Sequence, residues 1–305
     1  MLQLIFSFII GCIAALLYVV NLLAIPPLVI LSGLLRILIP VKWWSHSMNF
    51  LIHRVLTPTW IAINVFIIHL TIKVDWDIKG QNQLDRSGKY FLICNHSSWT
   101  DILVLYKALG LRTPTKVFFM KRELLWTLPI ISWACWASDY PFLHRPTKSR
   151  LKNRPDKKLH DREATLRTYN KFQSYPVTVV NFVEGTRFTA EKKQQQNSPY
   201  QHLLKPKASS VAFAINALQD SLHEIINVTI IYPNDKVSLW RFMCGRISKI
   251  IVRYEVIPIT ADLRGDFYGN REFRIYFQNW LNKLWQTKDN LITNFTPENT
   301  NHEQQ

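Results

Sequence analysis

The chain has 305 residues, 48% of them hydrophobic and 19% charged, so it is long enough for one large or two ordinary domains and too apolar for a disordered or low-complexity class. Its four cysteines, at positions 12, 94, 135 and 244, form no C-x-x-C pair, which excludes a cysteine-rich zinc module or a disulfide framework and favours a reducing compartment. The 37 Lys and Arg against 21 Asp and Glu, a net charge of +16, favour an anionic partner, either nucleic acid or a phosphate-rich lipid surface.

The placement of charge separates these two. No charged residue precedes Arg36, and such a run exceeds the roughly 20 apolar residues that cross a bilayer core. Residues 2–20 are apolar all round, as expected of a segment surrounded by lipid. A signal peptide is the competing reading, but the basic start it needs is missing. Asn21 and the Pro26-Pro27 pair are expected to interrupt the run, leaving a span followed by a short re-entrant or interfacial piece. Residues 36–54 mix Trp43, Trp44 and Phe50 with Arg36, Lys42 and Arg54, a headgroup-level composition, and Val55 to Ile72 is a second uncharged stretch. One span or two is left open. The expected organisation is a membrane anchor over 1–72, a catalytic domain over 73–290 and a polar tail over 291–305.

After Lys73 short β-rich runs alternate with amphipathic stretches. The expected strands are Tyr90 to Cys94, Lys116 to Met120, Val177 to Phe182, Asn227 to Tyr232 and Ile250 to Ile257. The expected helices are Ser98 to Leu109, Asp156 to Gln173, Ser209 to Leu218 and Arg271 to Trp285, and interleaved strands and helices predict an α/β sandwich.

Dinucleotide, P-loop, nucleophile-elbow and zincin motifs are all missing from the sequence. Two segments remain. The first, Asn95-His96-Ser97-Ser98-Trp99-Thr100-Asp101, follows a strand and leads into a helix. His96 can take a hydroxyl proton at one ring nitrogen if Asp101 holds the other. On a regular helix five residues rotate about 140°, so the pair works only if His96 lies in the loop, with Ser98 as the cap and Asp101 in the first turn. The alternative is that Asp101 merely completes a capping arrangement.

The second segment, Phe182-Val183-Glu184-Gly185-Thr186-Arg187, also ends a strand. Gly185 lets the backbone approach a bulky oxyanion, Thr186 offers a hydroxyl, Arg187 presents a fork for phosphate and Glu184 is positioned to hold that guanidinium. An ordinary turn with a surface Glu and Arg pair is the alternative.

Taken in order, Asn-His-x-x-x-x-Asp and Phe-x-Glu-Gly-Thr-Arg resemble the paired signatures of the glycerolipid acyltransferase superfamily, in the branch with lysophosphatidic acid and lysocardiolipin acyltransferases. Phe142-Leu143-His144-Arg145 and the strand ending at Pro233 resemble two further blocks. The resemblance implies a mixed sheet flanked by helices, preceded by a membrane helix or helical hairpin. It also implies transfer of an acyl chain from acyl-CoA or acyl carrier protein, as co-substrate, to a lysophospholipid hydroxyl, with 1-acyl-sn-glycerol 3-phosphate giving phosphatidic acid. His96 would be the base and Asp101 its orienter; Glu184, Gly185, Thr186 and Arg187, with Arg145 as a second clamp, would bind the acceptor phosphate. No metal, cofactor or nucleic acid is implied. The expected location is a membrane, the bacterial inner membrane or its equivalent, with the catalytic domain facing the cytoplasm.

Ten Lys or Arg between Arg145 and Lys171, and five between Lys236 and Arg253, are expected either to hold the domain on anionic lipid or to form solvated faces. Two rival functions stay open: acylation or transacylation of lysophosphatidylglycerol or lysocardiolipin, and a membrane-tethered lipid- or nucleic-acid-binding module with a degenerate site.

Overall fold

The computed structural model describes residues 2–80, 84–143, 172, 175–218, 221–233 and 236–296. Arg145, the basic stretch from 145 to 171 and nearly all of the expected helix from Asp156 to Gln173 lie outside these residues.

The apolar N-terminus forms one helix, α1 (Leu2–Leu38), that runs without a break through Pro26 and Pro27, so the expected interruption does not occur. Each proline removes one N–H donor, but α1 is braced over its length by neighbours, as helices with internal prolines can be in apolar surroundings. A second helical rod follows: α2 (Lys42–Phe50), a π-helical turn (Leu51–Leu56) and α3 (Thr57–Thr71). The segment expected at headgroup level and the second uncharged stretch are therefore one continuous rod, and both rods are long and apolar enough to cross a bilayer. Leu2, Phe6, Leu16 and Leu38 are each more than 60% exposed, an apolar face far larger than water-soluble surfaces carry, and the chain is accordingly membrane-associated.

The α/β domain that follows is built on a six-stranded mixed sheet: β1 (Asp75–Gly80), β2 (Lys89–Cys94), β3 (Lys116–Phe118), β6 (Val177–Phe182), β7 (Glu224–Ile231) and β8 (Lys249–Pro258). The strand order is β1-β8-β7-β2-β6-β3, with only the β7 and β8 pair antiparallel. β2, β6 and β7 are buried along nearly their whole length, which explains their continuous apolar sequences. β1 reads poorly as a strand because it is a charged edge: Asp77 is paired to Arg253 of β8 at 2.6 Å. A small second sheet joins β4 (Met120–Lys121) to β5 (Phe142–Leu143), so the expected strand from Lys116 to Met120 divides between two sheets.

Helices α4 (Thr100–Leu109), α5 (Leu124–Thr127), α6 (Pro129–Ala137), α7 (Ala190–Gln195), α8 (Ala208–Leu218), α9 (Leu239–Met243) and α10 (Arg271–Phe295) complete the fold. α10 runs ten residues past the expected end at Trp285, because Phe277, Leu281, Trp285 and Ile292 continue one buried stripe.

The domain grips α1 at both ends. Near its start Arg246 donates to the Leu4 carbonyl at 3.3 Å, and Phe8 packs edge-on against Trp240 of α9 at 5.8 Å. Near its end Arg36 pairs with Asp139 at 2.7 Å, and Gly33 lies so close to α6 that a Cβ there would stand 2.5 Å from that of Ala137.

Candidate functional site

The register of two central strands assembles the site. β2 and β6 run parallel with Cys94 opposite Phe182, so the segments that follow them, with His96 and Glu184 two residues on, leave the sheet side by side. Such loops beyond the carboxyl ends of parallel strands are where α/β folds place their chemistry. The Phe188 N–H donates to the His96 carbonyl at 2.8 Å and joins the two segments again. On the other side Asn95 clips the first loop to β7: its amide donates to the Ile230 carbonyl at 2.8 Å and its oxygen accepts from the Ile230 N–H at 2.9 Å.

His96 lies in the loop, its ring stacked on Phe182 with centroids 3.9 Å apart. Its Nδ1 is 2.8 Å from Oδ2 of Asp101. The same oxygen accepts from the Ser97 and Ser98 N–H groups at 2.7 and 2.9 Å, and Oδ1 accepts from the Tyr232 hydroxyl at 2.7 Å. The carboxylate, 0% exposed as a residue, thus closes the loop and orients the ring at once. Because Asp101 takes Nδ1–H, the Nε2 atom is left as an acceptor, and it has no partner among the described residues. Ser98 is not the helix cap: α4 starts at Thr100, behind Trp99, with no side-chain cap, since Asp101 already engages the N–H groups that precede it.

The second loop turns at Gly185, whose φ of 72° is left-handed. This turn sends Glu184 and Arg187 apart. Glu184 points inward, 0% exposed, with its two oxygens accepting from the His96 and Leu204 N–H groups at 3.4 Å each. Burial pushes its carboxyl up to about 8, against the pull of those two N–H groups. Arg187 points to solvent and its guanidinium lies over the Trp99 ring, 5.3 Å from the centroid. No ion pair joins Glu184 and Arg187, so the expectation that one holds the other is corrected: Glu184 braces the His96 loop. Thr186 accepts from Lys192 at 2.9 Å, and Lys192 also donates to the Arg187 carbonyl at 3.0 Å. Lys207 stands beside Gly185, its Nζ 2.6 Å from where a Cβ would be.

His96, Asp101, Glu184, Gly185, Thr186 and Arg187 are therefore on two neighbouring loops at one end of the sheet, with Glu184 turned inward and Arg187 outward, and Arg145 is outside the described residues. Sequence reasoning missed three supports. Tyr232 reads only as a strand end. Lys288 and Asp289 on α10 give no local signal, yet Lys288 donates to the Val228 carbonyl and to Thr229, and Asp289 accepts from the Gln201 and His202 N–H groups at 2.6 and 2.7 Å. Cys94 is fully buried and its thiol is pushed well above its ordinary range by burial, which suits packing rather than nucleophilic attack. No cluster of three or more metal-ligating side chains occurs among the described residues.

A family profile described as Acyltransferase matches residues 75–233. The chain is 30% identical over 176 residues to 1-acyl-sn-glycerol-3-phosphate acyltransferase 3 of Arabidopsis thaliana, covering 52% of this chain and 43% of that protein. It is 20% identical over 240 residues to 2-acyl-1-lysophosphatidylinositol acyltransferase of Saccharomyces cerevisiae, covering 67% of this chain and 60% of that one. The chain thus spans about half the length of these relatives. A solved 1-acyl-sn-glycerophosphate acyltransferase from Thermotoga maritima aligns over 92% of this chain and 98% of its own, at 12% identity and a TM-score of 0.49.

Proposed function

The chain belongs to the acyltransferase family, and we propose that it esterifies the free hydroxyl of a lysophospholipid, 1-acyl-sn-glycerol 3-phosphate first, with an acyl group from acyl-CoA or acyl carrier protein. One observation carries this reading: a loop histidine held at Nδ1 by a buried carboxylate 2.8 Å away, with Nε2 unpaired among the described residues. In this reading Nε2 takes the proton of the acceptor hydroxyl as its oxygen attacks the thioester carbonyl. The tetrahedral intermediate collapses with loss of the thiol, which leaves with the proton returned by the imidazolium. Asp101 stabilises that imidazolium.

Arg187 is assigned the acceptor phosphate, since its guanidinium is exposed at the loop surface and its fork matches phosphate oxygens. Gly185 and Thr186 shape the same loop, and Arg145 is assigned as a second clamp on the sequence resemblance alone. Phe182, Phe118 and Tyr140 form an aromatic row leading away from the imidazole, with centroids 6.1 and 6.4 Å apart, and the buried Phe118 and Tyr140 back the imidazole from the core.

We also infer that α1 lies along one face of the bilayer. From Leu4 to Arg36 the helix is about 48 Å long at 1.5 Å per residue, more than the roughly 30 Å hydrocarbon core, and one domain grips both ends. The catalytic domain then meets lipid on the cytoplasmic side, where acyl thioesters are made. In sealed vesicles of a cysteine-free background, Gln3→Cys and Ile39→Cys should react with an impermeant thiol reagent from the same side. Reaction from opposite sides overturns the inference.

The function is tested by incubating the purified full chain in detergent with acyl-CoA or acyl carrier protein thioester and lysophosphatidate, lysophosphatidylglycerol, lysophosphatidylinositol or lysocardiolipin. Ester product is expected, and His96→Ala should lower its rate by about 10² to 10⁴. No ester with any acceptor, or undiminished turnover by the variant, refutes the assignment.

A further inference from the structure

The opposite end of the sheet also opens onto a cavity. Arg86 precedes β2, Thr115 precedes β3 and Pro176 precedes β6, and these residues line a cavity of about 630 Å³ between the domain and the rod of α2 and α3. It lies at the opposite ends of the strands from His96, about 20 Å away along β2 at 3.3 Å per residue.

Its lining is asymmetric in charge. His46, His53, Arg54 and Arg86 face it, and among the described residues no carboxylate lines it. Arg54 makes no hydrogen bond or ion pair among the described residues, and Arg86 uses only its Nε, on the Leu111 carbonyl. His53, in the π-helical turn, is the telling member. Its side chain is 9% exposed, its ring stacks on Tyr175 at 4.8 Å, and neither ring nitrogen has a hydrogen-bond partner among the described residues. Asp139, at 3.7 Å from Nε2, is too far for one and is bound to Arg36. A buried polar ring without partners is costly unless a ligand completes it. Behind the wall, Lys116 donates to the Gly110 carbonyl at 2.8 Å and to Thr113 at 2.9 Å, both residues that line the cavity.

The other side is apolar. Phe50, Pro58, Ile61 and Leu111 line it, and Phe50 is 60% exposed on the rod that faces lipid.

We propose that this cavity binds a phosphate-bearing amphiphile at a site separate from the catalytic loop, with the phosphate held by Arg54, Arg86 and His53 and a chain laid along Phe50, Pro58 and Leu111. The proposal rests on these residues and not on the acyl-transfer reading.

The test uses a phosphatidic acid carrying a photoreactive acyl chain, mixed with the full chain in neutral detergent micelles and mapped by peptide mass spectrometry. Peptides containing residues 46–61 and 110–115 should be labelled. Unlabelled phosphatidic acid should compete, and diacylglycerol with the same chains should not. Arg54→Gln/Arg86→Gln should lower labelling by more than about tenfold, as loss of charge-assisted hydrogen bonds predicts, with an unchanged melting temperature because both side chains are exposed. His96→Ala should label like wild type, so failure of the catalytic reading would leave this result standing. Absent labelling of those peptides, equal labelling of the double variant, or equal competition by diacylglycerol overturns the proposal. Equal competition by inorganic phosphate overturns the lipid assignment in favour of free phosphate.

Discussion

Tyr232 donates its hydroxyl to Oδ1 of Asp101 at 2.7 Å, across 131 residues of sequence. The oxygen it satisfies is the one not turned toward His96, so the phenol holds the carboxylate in the plane that the imidazole requires. Tyr232→Phe removes one hydrogen bond to a charged group, worth about 1.5 to 3 kcal/mol. The expected result is a fall in kcat of about 10- to 100-fold with little change in KM for the acceptor, measured as ester formation at saturating thioester. A shift in KM alone would contradict this positioning role.

Arg187 presents its planar guanidinium over Trp99, and its proposed role as a phosphate clamp depends on the fork rather than on the charge alone. Arg187→Lys should raise KM for a phosphate-bearing acceptor about tenfold, since an ammonium cannot make the paired contacts. Initial rates against lysophosphatidate concentration check this. Identical kinetics for the lysine variant would remove the bidentate role.

Gly185 combines a φ of 72° with a neighbour, Lys207, that would meet any Cβ. A left-handed conformation costs an L residue about 1 to 2 kcal/mol, and Lys207 must also move. Gly185→Ala should therefore lower stability by about that amount in denaturant unfolding and weaken catalysis, while Gly185→Asn should be milder. An alanine variant as stable as wild type would show that the turn tolerates a side chain.

Burial lowers the Lys116 ammonium from 10.5 to about 7. Between these values the unfolded chain keeps a proton that the folded chain has released, so this residue makes stability rise with pH from about 7 to 10.5. Glu184 acts in the opposite sense: raised from 4.5 to about 8, it stabilises the folded chain below 4.5 and loses that contribution as pH climbs to about 8. Melting temperatures across pH should show a shallower alkaline rise in Lys116→Met and a shallower fall below pH 8 in Glu184→Gln. Unaltered pH profiles in both variants would contradict these shifts.

What could be read beforehand follows from how local each signal is. Val177 to Phe182 is legible because a strand buried on both faces needs uninterrupted apolar residues. The pairing of His96 with Asp101 is legible because only a loop geometry lets residues five apart meet. Glu184 and Arg187 mislead because spacing is silent about the left-handed turn at Gly185 that separates them. The same limit hides β1, whose alternating charges suit an edge, and the unbroken path of α1 through its prolines, which depends on packing partners remote in sequence. Tyr232, Lys288 and Asp289 act over distances that no motif encodes.

The two α10 side chains also reach back to segments made much earlier in the chain. Lys288 and Asp289 anchor β7 and the stretch after the Gly185 loop, so a nascent chain that already carries both signature segments still lacks the clamp that steadies them.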